Sequence, residues 1–267
     1  IYAGTDLLVE GIRANTAVTV SYDVKANQYA IVSSSYTGYT RKPVRIVAGS
    51  SGVVTVLDYR AGQKPQDNAF RRIVEYRYVD SDKAVWLINE LPLDDYIKGL
   101  GETTNASPLE FQKVMATVSR TYALYHYLRG VNNNIPDGST KHAAQHFHVD
   151  SVYDQVYRGY NSELRLTGLT EAVEATRGAV ITYNGAPIVA AYFSNSDGRT
   201  RSYKEVWGGD GLPYLVGVPV PQDEGKTLNG HGVGMSARGA LLMVTSGTSW
   251  QDAIRYFYTG TEIERVY

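Results

Sequence analysis

Leu91-Pro-Leu-Asp-Asp-Tyr-Ile-Lys-Gly-Leu-Gly-Glu102 is the stretch at which the pattern of this chain changes. Upstream, alternating or β-branched segments bounded by Gly, Ser or Asn read as short strands over 17–22, 44–48 and 53–57. Segments 73–79 and 84–88 face each other across Asp80-Ser-Asp-Lys83 as a hairpin. From Pro92 the pattern turns helical, with 94–100 a short helix stopped near Gly99 and Gly101. Ser107-Pro-Leu-Glu110 has the form of a capping box with Pro at the first helical position. Behind it Phe111, Val114, Met115, Val118, Tyr122 and Tyr125 recur at helical spacing and predict a core-facing stripe. Ala116, Arg120, Ala123 and Tyr127 occupy the other side. Small residues there predict a helix covered on both faces, central to the fold and stopped at Gly130.

Further on, 131–139 reads as a polar loop and 171–177 as a short helix. Runs 179–183 and 187–192 flank Asn184-Gly185, a strong hairpin signal. Segments 235–243 and 249–257 read as helices, the last amphipathic. No internal repeat is present. The fold class is α+β: a β-rich N-terminal lobe (1–88) and a mixed lobe with a central helix (89–267), together one unit that forms a cleft.

The 267 residues suffice for a sizeable core, and 43% hydrophobic with 20% charged residues is ordinary globular composition. A net charge of -1 gives no electrostatic case for nucleic acid or an anionic membrane. Without cysteine there is no disulfide, thiolate zinc site or Cys nucleophile. No run is long and apolar enough to span a bilayer, and a chain that starts at Ile1 is compatible with a removed signal or anchor. The 22 tyrosines against 5 phenylalanines have two readings: β-sheet packing, or the aromatic lining of a sugar-binding groove.

Four groups of residues could carry chemistry. Glu102 is a lone acid on a glycine-flanked loop, either solvated or a proton donor. Ordinary glycosidases use two carboxylates. One suffices where the substrate supplies its own nucleophile, as muramic acid does when its C6 hydroxyl attacks the anomeric carbon. Glu102 would give a proton and then take one, which requires a partly dry site and a raised pKa. Arg120 could hold a carboxylate or orient a sugar, or lie in a surface ion pair. His142, His146 and His148, with Asp150 and Asp154, could bind zinc if the segment were helical, but Ala143 stands where the H-E-x-x-H pattern has Glu. His231 and Ser236 invite a hydrolase triad, although Gly234-Met-Ser-Ala-Arg-Gly239 is not the G-x-S-x-G elbow. Gly230, Gly232 and Gly234 permit a tight turn or close backbone approach.

Seven segments carry a resemblance. They are Phe70-Arg-Arg-Ile-Val-Glu-Tyr76, Leu91 to Glu102 as quoted, Val118-Ser-Arg-Thr-Tyr-Ala-Leu124 and Asp154-Gln-Val-Tyr-Arg-Gly159. Ala172-Val-Glu-Ala-Thr-Arg-Gly178, Ala191-Tyr-Phe-Ser-Asn-Ser-Asp-Gly-Arg-Thr200 and His231-Gly-Val-Gly-Met-Ser-Ala-Arg-Gly-Ala240 follow in the same order. In that order they resemble the stage II sporulation protein D family of peptidoglycan lytic transglycosylases, which includes proteins described as amidase enhancers. The chain departs from the family at Tyr153-Asp154, where a His-Cys pair that holds zinc in some members is replaced. It departs again at Ser196-Asp197-Gly198, in place of Ser-Gly-Gly, and at Ala237, in place of Gln.

The resemblance implies cleavage of the MurNAc–GlcNAc bond of glycan strands, leaving 1,6-anhydro-MurNAc ends, with Glu102 as acid and then base. It implies Arg120, Tyr122, Gln155, Tyr157, Tyr192, Ser196, His231 and Ser236 as substrate-binding residues, with no metal or cofactor. The implied partners are peptidoglycan glycan strands and a cell-wall amidase, and the implied location is extracytoplasmic, secreted or membrane-anchored. The alternative is a non-catalytic cell-wall binding protein that stimulates an amidase.

Overall fold

The computed structural model describes residues 1–49, 52–134 and 138–267. Residues 135–137 of the expected loop lie outside the described residues. The helices are α1 (Leu93–Lys98), α2 (Leu109–Asn132), α3 (Tyr160–Arg165), α4 (Thr167–Ala175), α5 (Tyr203–Trp207), α6 (Ala237–Thr245) and α7 (Trp250–Phe257). Helices and several small sheets make an α+β fold.

The expected hairpin is present. Ile73–Val79 pairs antiparallel with Ala84–Glu90 and, on its other side, with Val44–Val47. Tyr2–Ala3 and Asp6–Leu7 complete this five-stranded sheet. The division after residue 88 falls within strand Ala84–Glu90. A second antiparallel sheet joins Val18–Asp23, Gln28–Ser33 and Thr37–Thr40. Between these sheets lie Ile1, Tyr29, Ile31 and Val44, with Tyr22, Tyr76 and Tyr78 against them. Tyr22 and Tyr78 stack with ring centroids 4.2 Å apart. These tyrosines are strand-packing residues.

Helix α2 is central, as the two covered faces predict. Phe111, Val114, Met115 and Val118 pack into the largest core, shared with α6, α7 and strand Ala179–Tyr183. Ala116, on the other side, joins Ile97, Leu100, Leu169, Ala172 and Val173. The start of the helix differs from expectation. Its N-cap is Pro108, and no side chain caps it. The Glu110 carboxylate instead accepts from Lys113 at 2.6 Å and from the Trp250 amide at 3.3 Å, tying α2 to α7. The helix also runs past Gly130 to Asn132.

In the last third, Ala179–Tyr183 turns at Asn184-Gly185 into a strand of only two residues, Ala186–Pro187, and its other edge pairs with Glu262–Arg265. Residues 235–236, expected at a helix start, form a parallel two-residue ladder with Tyr192–Phe193 before α6 begins. Gly234 permits this approach, since its φ is +76° and a Cβ there would lie 2.1 Å from the Ala191 carbonyl oxygen. The ladder brings the segment containing Tyr192 against the His231 segment.

Candidate functional site

The loop bearing Glu102 is built by a short backbone ladder. Helix α1 ends at Gly99, and residues 99–101 then run antiparallel to 156–158. Gly101 donates to the Val156 carbonyl at 2.8 Å, and Arg158 donates to that of Gly99 at 2.8 Å. The Tyr157 ring lies over Gly99 so closely that a Cβ there would be 2.5 Å from it. The next donor along the ladder, the Val156 amide, finds the side chain of Glu102 rather than a carbonyl, with Oε1 accepting at 2.9 Å. The carboxylate is thus fixed to the backbone facing it.

Its second oxygen, Oε2, accepts a hydrogen bond from the Tyr192 hydroxyl. Around this pair lies a polar cluster. The Gln155 side-chain amide donates to the Tyr192 oxygen at 3.2 Å and to the Ser119 carbonyl at 3.2 Å, while its own oxygen accepts from Tyr96 at 2.9 Å. Ser119 Oγ is 3.4 Å from the Tyr192 hydroxyl. Tyr96 stacks on Tyr157, ring centroids 5.0 Å apart, and the Tyr157 hydroxyl donates to Asn89 at 2.6 Å. On its apolar side Glu102 lines a hollow of about 10 Å³ with Ile97, Leu100, Thr103, Met115, Ser119 and Leu169. Burial pushes the carboxyl above the usual range, and the hydrogen bonds from Tyr192 and Val156 only partly oppose it. The shift is in the direction that general acid–base work by a carboxyl requires.

Glu102, Gln155, Tyr157 and Tyr192 are brought together. Tyr122 lies one step further out, donating to Asp154 at 2.9 Å just before the Gln155-Val156 pair. Arg120 is elsewhere in character: none of it is exposed. Its Nε donates to Asp94 at 2.9 Å, and its terminal nitrogens meet the Ala179 and Val173 carbonyls at 3.2 and 3.3 Å and Thr176 Oγ1 at 3.4 Å. It holds the fold around the site and presents no donor to a ligand.

Ser196 and Ser236 are likewise fully buried, and both donate to Asp223, at 2.8 and 2.5 Å. Burial pushes the Asp223 carboxyl up, but hydrogen bonds from Ser236, Arg238 and Ser196 outweigh it and leave the group below its ordinary range. Ser236 Oγ also caps α6 through the Gly239 amide at 3.0 Å. Committed in this way, it makes no hydrogen bond with His231 among the described residues, so the triad geometry is not formed. His231 itself is exposed. Its Nδ1 accepts from the Val233 amide at 3.1 Å, and its ring lies between Phe193 and Trp207, at 5.6 and 5.1 Å. A larger hollow of about 470 Å³ opens nearby on Asp197, Gly198, Arg199, Arg201, Pro221 and Glu224, and does not include Glu102.

The zinc reading needed a helix over 142–146, and the segment forms successive turns. His142 Nε2 meets Asp154 at 2.8 Å, where Lys141 and the Asp150 amide also donate to the same carboxylate. Among the described residues no three His, Asp or Glu side chains converge in a way that could hold a metal ion. Tyr96, Ser119, Asp94 and Asp223 are the participants that sequence reasoning did not single out. Asp94, Tyr96 and Ser119 stand inside the quoted motifs, which was the available signal. Asp223 ends a single 3-10 turn, Pro221–Asp223, with no distinguishing spacing.

Residues 81–183 match the family model described as Stage II sporulation protein. Stage II sporulation protein D of Bacillus subtilis (strain 168) is 24% identical over an alignment covering 66% of this chain and 75% of that protein. An uncharacterized protein of Brachyspira hyodysenteriae is 30% identical, over 78% of this chain and 55% of its own length. A shorter match to the amidase enhancer of Bacillus subtilis (strain 168) is 42% identical over 67 residues, which is 25% of this chain and 9% of that protein. The chain spans about half the length of the Brachyspira relative and a small part of the amidase enhancer. The region matched by the family model includes Glu102, Arg120, Tyr122, Gln155 and Tyr157, and ends before Tyr192, Ser196, His231 and Ser236.

Proposed function

We propose that this chain, which belongs to the stage II sporulation protein D family, is a lytic transglycosylase that cuts peptidoglycan glycan strands with Glu102 as its single acid and base. The observation that carries the reading is the environment of Glu102. One carboxyl, desolvated on an apolar side and gripped by two donors on the other, has its proton affinity raised above that of an ordinary carboxyl. Among the described residues, no second carboxylate shares its immediate hydrogen-bonding shell.

The reaction balances with that one group. The Glu102 carboxylic acid gives its proton to the glycosidic oxygen as the bond from MurNAc C1 breaks, and GlcNAc leaves with a free 4-hydroxyl. The carboxylate then takes the proton of the MurNAc C6 hydroxyl as O6 closes on C1. A 1,6-anhydro ring forms, no water is consumed, and Glu102 ends protonated. Because the substrate is cell wall, the protein would act outside the cytoplasm.

The test is mass analysis of soluble products from peptide-free glycan strands and from intact sacculi, with wild type and Glu102→Gln. Anhydromuramic ends from wild type alone are the expected result, with the variant folded and losing at least about a hundredfold in rate. Reducing ends, heavier by one water, would show a hydrolase instead. The similarity to the amidase enhancer favours a second reading, binding of cell wall without cleavage and stimulation of an amidase. Binding without products, with the amidase rate raised equally by wild type and Glu102→Gln, would select it.

A further inference from the structure

Tyr192 reaches the site from a segment ninety residues beyond Glu102, and its hydrogen bonds dictate where each proton in the cluster sits. The Ser119 carbonyl can only accept, so the Gln155 atom facing it at 3.2 Å is the amide nitrogen. That orientation agrees with the Tyr96 hydroxyl donating to the Gln155 oxygen at 2.9 Å. The second Gln155 N–H then points at the Tyr192 oxygen, 3.2 Å away, which must accept. Tyr192 has one proton left to place. Ser119 Oγ, 3.4 Å away, donates weakly to the same oxygen, while Glu102 Oε2 is placed to accept that proton. The Val156 amide, on Glu102 Oε1, can only donate.

We propose that Tyr192 is a positioning residue that, under orders from Gln155, commits its hydroxyl proton to Glu102 Oε2, so that Tyr192 and Val156 clamp the carboxylate from two fixed donors and leave the acid proton only the lone pairs facing away from both. The clamp does two things. It holds the carboxylate plane in one orientation for both proton transfers, and it stabilises the charged form that burial destabilises. Without it, Glu102 would hold its proton more tightly and give it up less readily as an acid. The proposal rests on the reading of Glu102 as the proton donor.

Among the described residues, the titratable groups whose proton affinity responds to the Glu102 charge are phenols. Tyr192, Tyr96 and Tyr122 each feel its charge, which helps to raise their own pKa values, and Asp154 acts on Tyr96 and Tyr122 in the same sense. Burial is the largest cause in all three. They stay protonated through the working range, so Tyr192 acts as a donor and takes no part as a base.

The experiment is a pH titration of Glu102 by NMR on protein labelled at the glutamate carboxyl carbon, its resonance identified by its loss in Glu102→Gln. Tyr192→Phe keeps the ring and removes the donor. The expected result is a higher titration midpoint than wild type. In glycan cleavage it should show about a tenfold fall in kcat with little change in KM, and an alkaline limb displaced to higher pH. Gln155→Met leaves Tyr192 in place but frees its oxygen, and should raise the midpoint less. It also serves if Tyr192→Phe does not fold. Unchanged midpoints in folded variants overturn the proposal. Raised midpoints in a protein that cleaves no glycan would support the clamp while defeating the transglycosylase reading.

Discussion

Arg120 carries a charge with no exposed surface, a situation that persists only when the guanidinium is well supplied with acceptors. Four acceptors answer it, on α1, α4, the turn after α4 and the strand beyond. A planar fork with five N–H groups can meet a set spread in this way, and an ammonium cannot. Arg120→Lys is therefore expected to destabilise nearly as much as Arg120→Ala. The loss should be about 3 kcal/mol, the low end for breaking a buried pair, because Asp94 keeps the Tyr267 hydroxyl at 2.8 Å. Urea unfolding measures it. If Arg120 instead gripped substrate, the variants would be stable and defective in KM, and that pattern would refute the structural role. A position that a resemblance marks as functional can thus serve the site by holding the elements around it.

At the scale of elements, the short ladder between 99–101 and 156–158 decides whether Glu102 is placed at all. Gly99→Ala drives a methyl into the Tyr157 ring, whose stack on Tyr96 supports the donor to Gln155. The expectation is a stability loss of about 1–3 kcal/mol, as for other overpacking changes, together with a fall in cleavage rate. Thermal unfolding alongside product analysis checks both; a fully active, equally stable variant would mean the ladder adapts freely. The elements that reveal themselves in sequence are those long enough to show a period: the 73–79/84–90 hairpin, the two-sided helix α2 and the amphipathic α7. Strands of two residues, such as Tyr192–Phe193 and Met235–Ser236, have no period to show, yet their pairing delivers Tyr192 to Glu102. Helices α3 and α5, of six and five residues, and strands Gln28–Ser33 and Thr37–Thr40 went unmarked, the helices because they are too short to display a face. The Ser107 capping box failed because the chain enters α2 through Pro108, and Glu110 found partners on another element. Glu102 was legible through its motif, but the clamp on it was not, since contacts between residues ninety apart leave no local trace.

For the molecule as a whole, pH sets fold and site against each other. His126 lies within α2, 6% exposed, and neither ring nitrogen has a hydrogen-bond partner among the described residues. Burial first, then the Lys141 charge, push its pKa down to about 4, with Asp154 opposing. In the unfolded chain a histidine titrates near 6.5. Above that pH both states are neutral at this residue and its full contribution to stability is present. Between 6.5 and 4 the unfolded state takes up a proton that the native state refuses, so stability falls as pH falls, by about 3 kcal/mol across the window. Asp154 and Asp223, both held below their ordinary range, add a second loss only at lower pH, where their carboxylates protonate. Glu102 responds in the opposite direction: its raised pKa favours the native state when protonated, and acid donation also improves as pH falls. If Glu102 is the proton donor, these signs predict a mildly acidic optimum for cleavage, bounded below by loss of the fold rather than by loss of chemistry. His126→Leu removes the refused proton and two unpaired buried nitrogens. Its unfolding free energy, measured in urea from pH 7.5 to 4, is expected to stay nearly level where the wild type declines. The acid limb of cleavage should move to lower pH with it, because the limit there is the helix at the centre of the molecule; parallel declines in the two proteins would place that limit elsewhere.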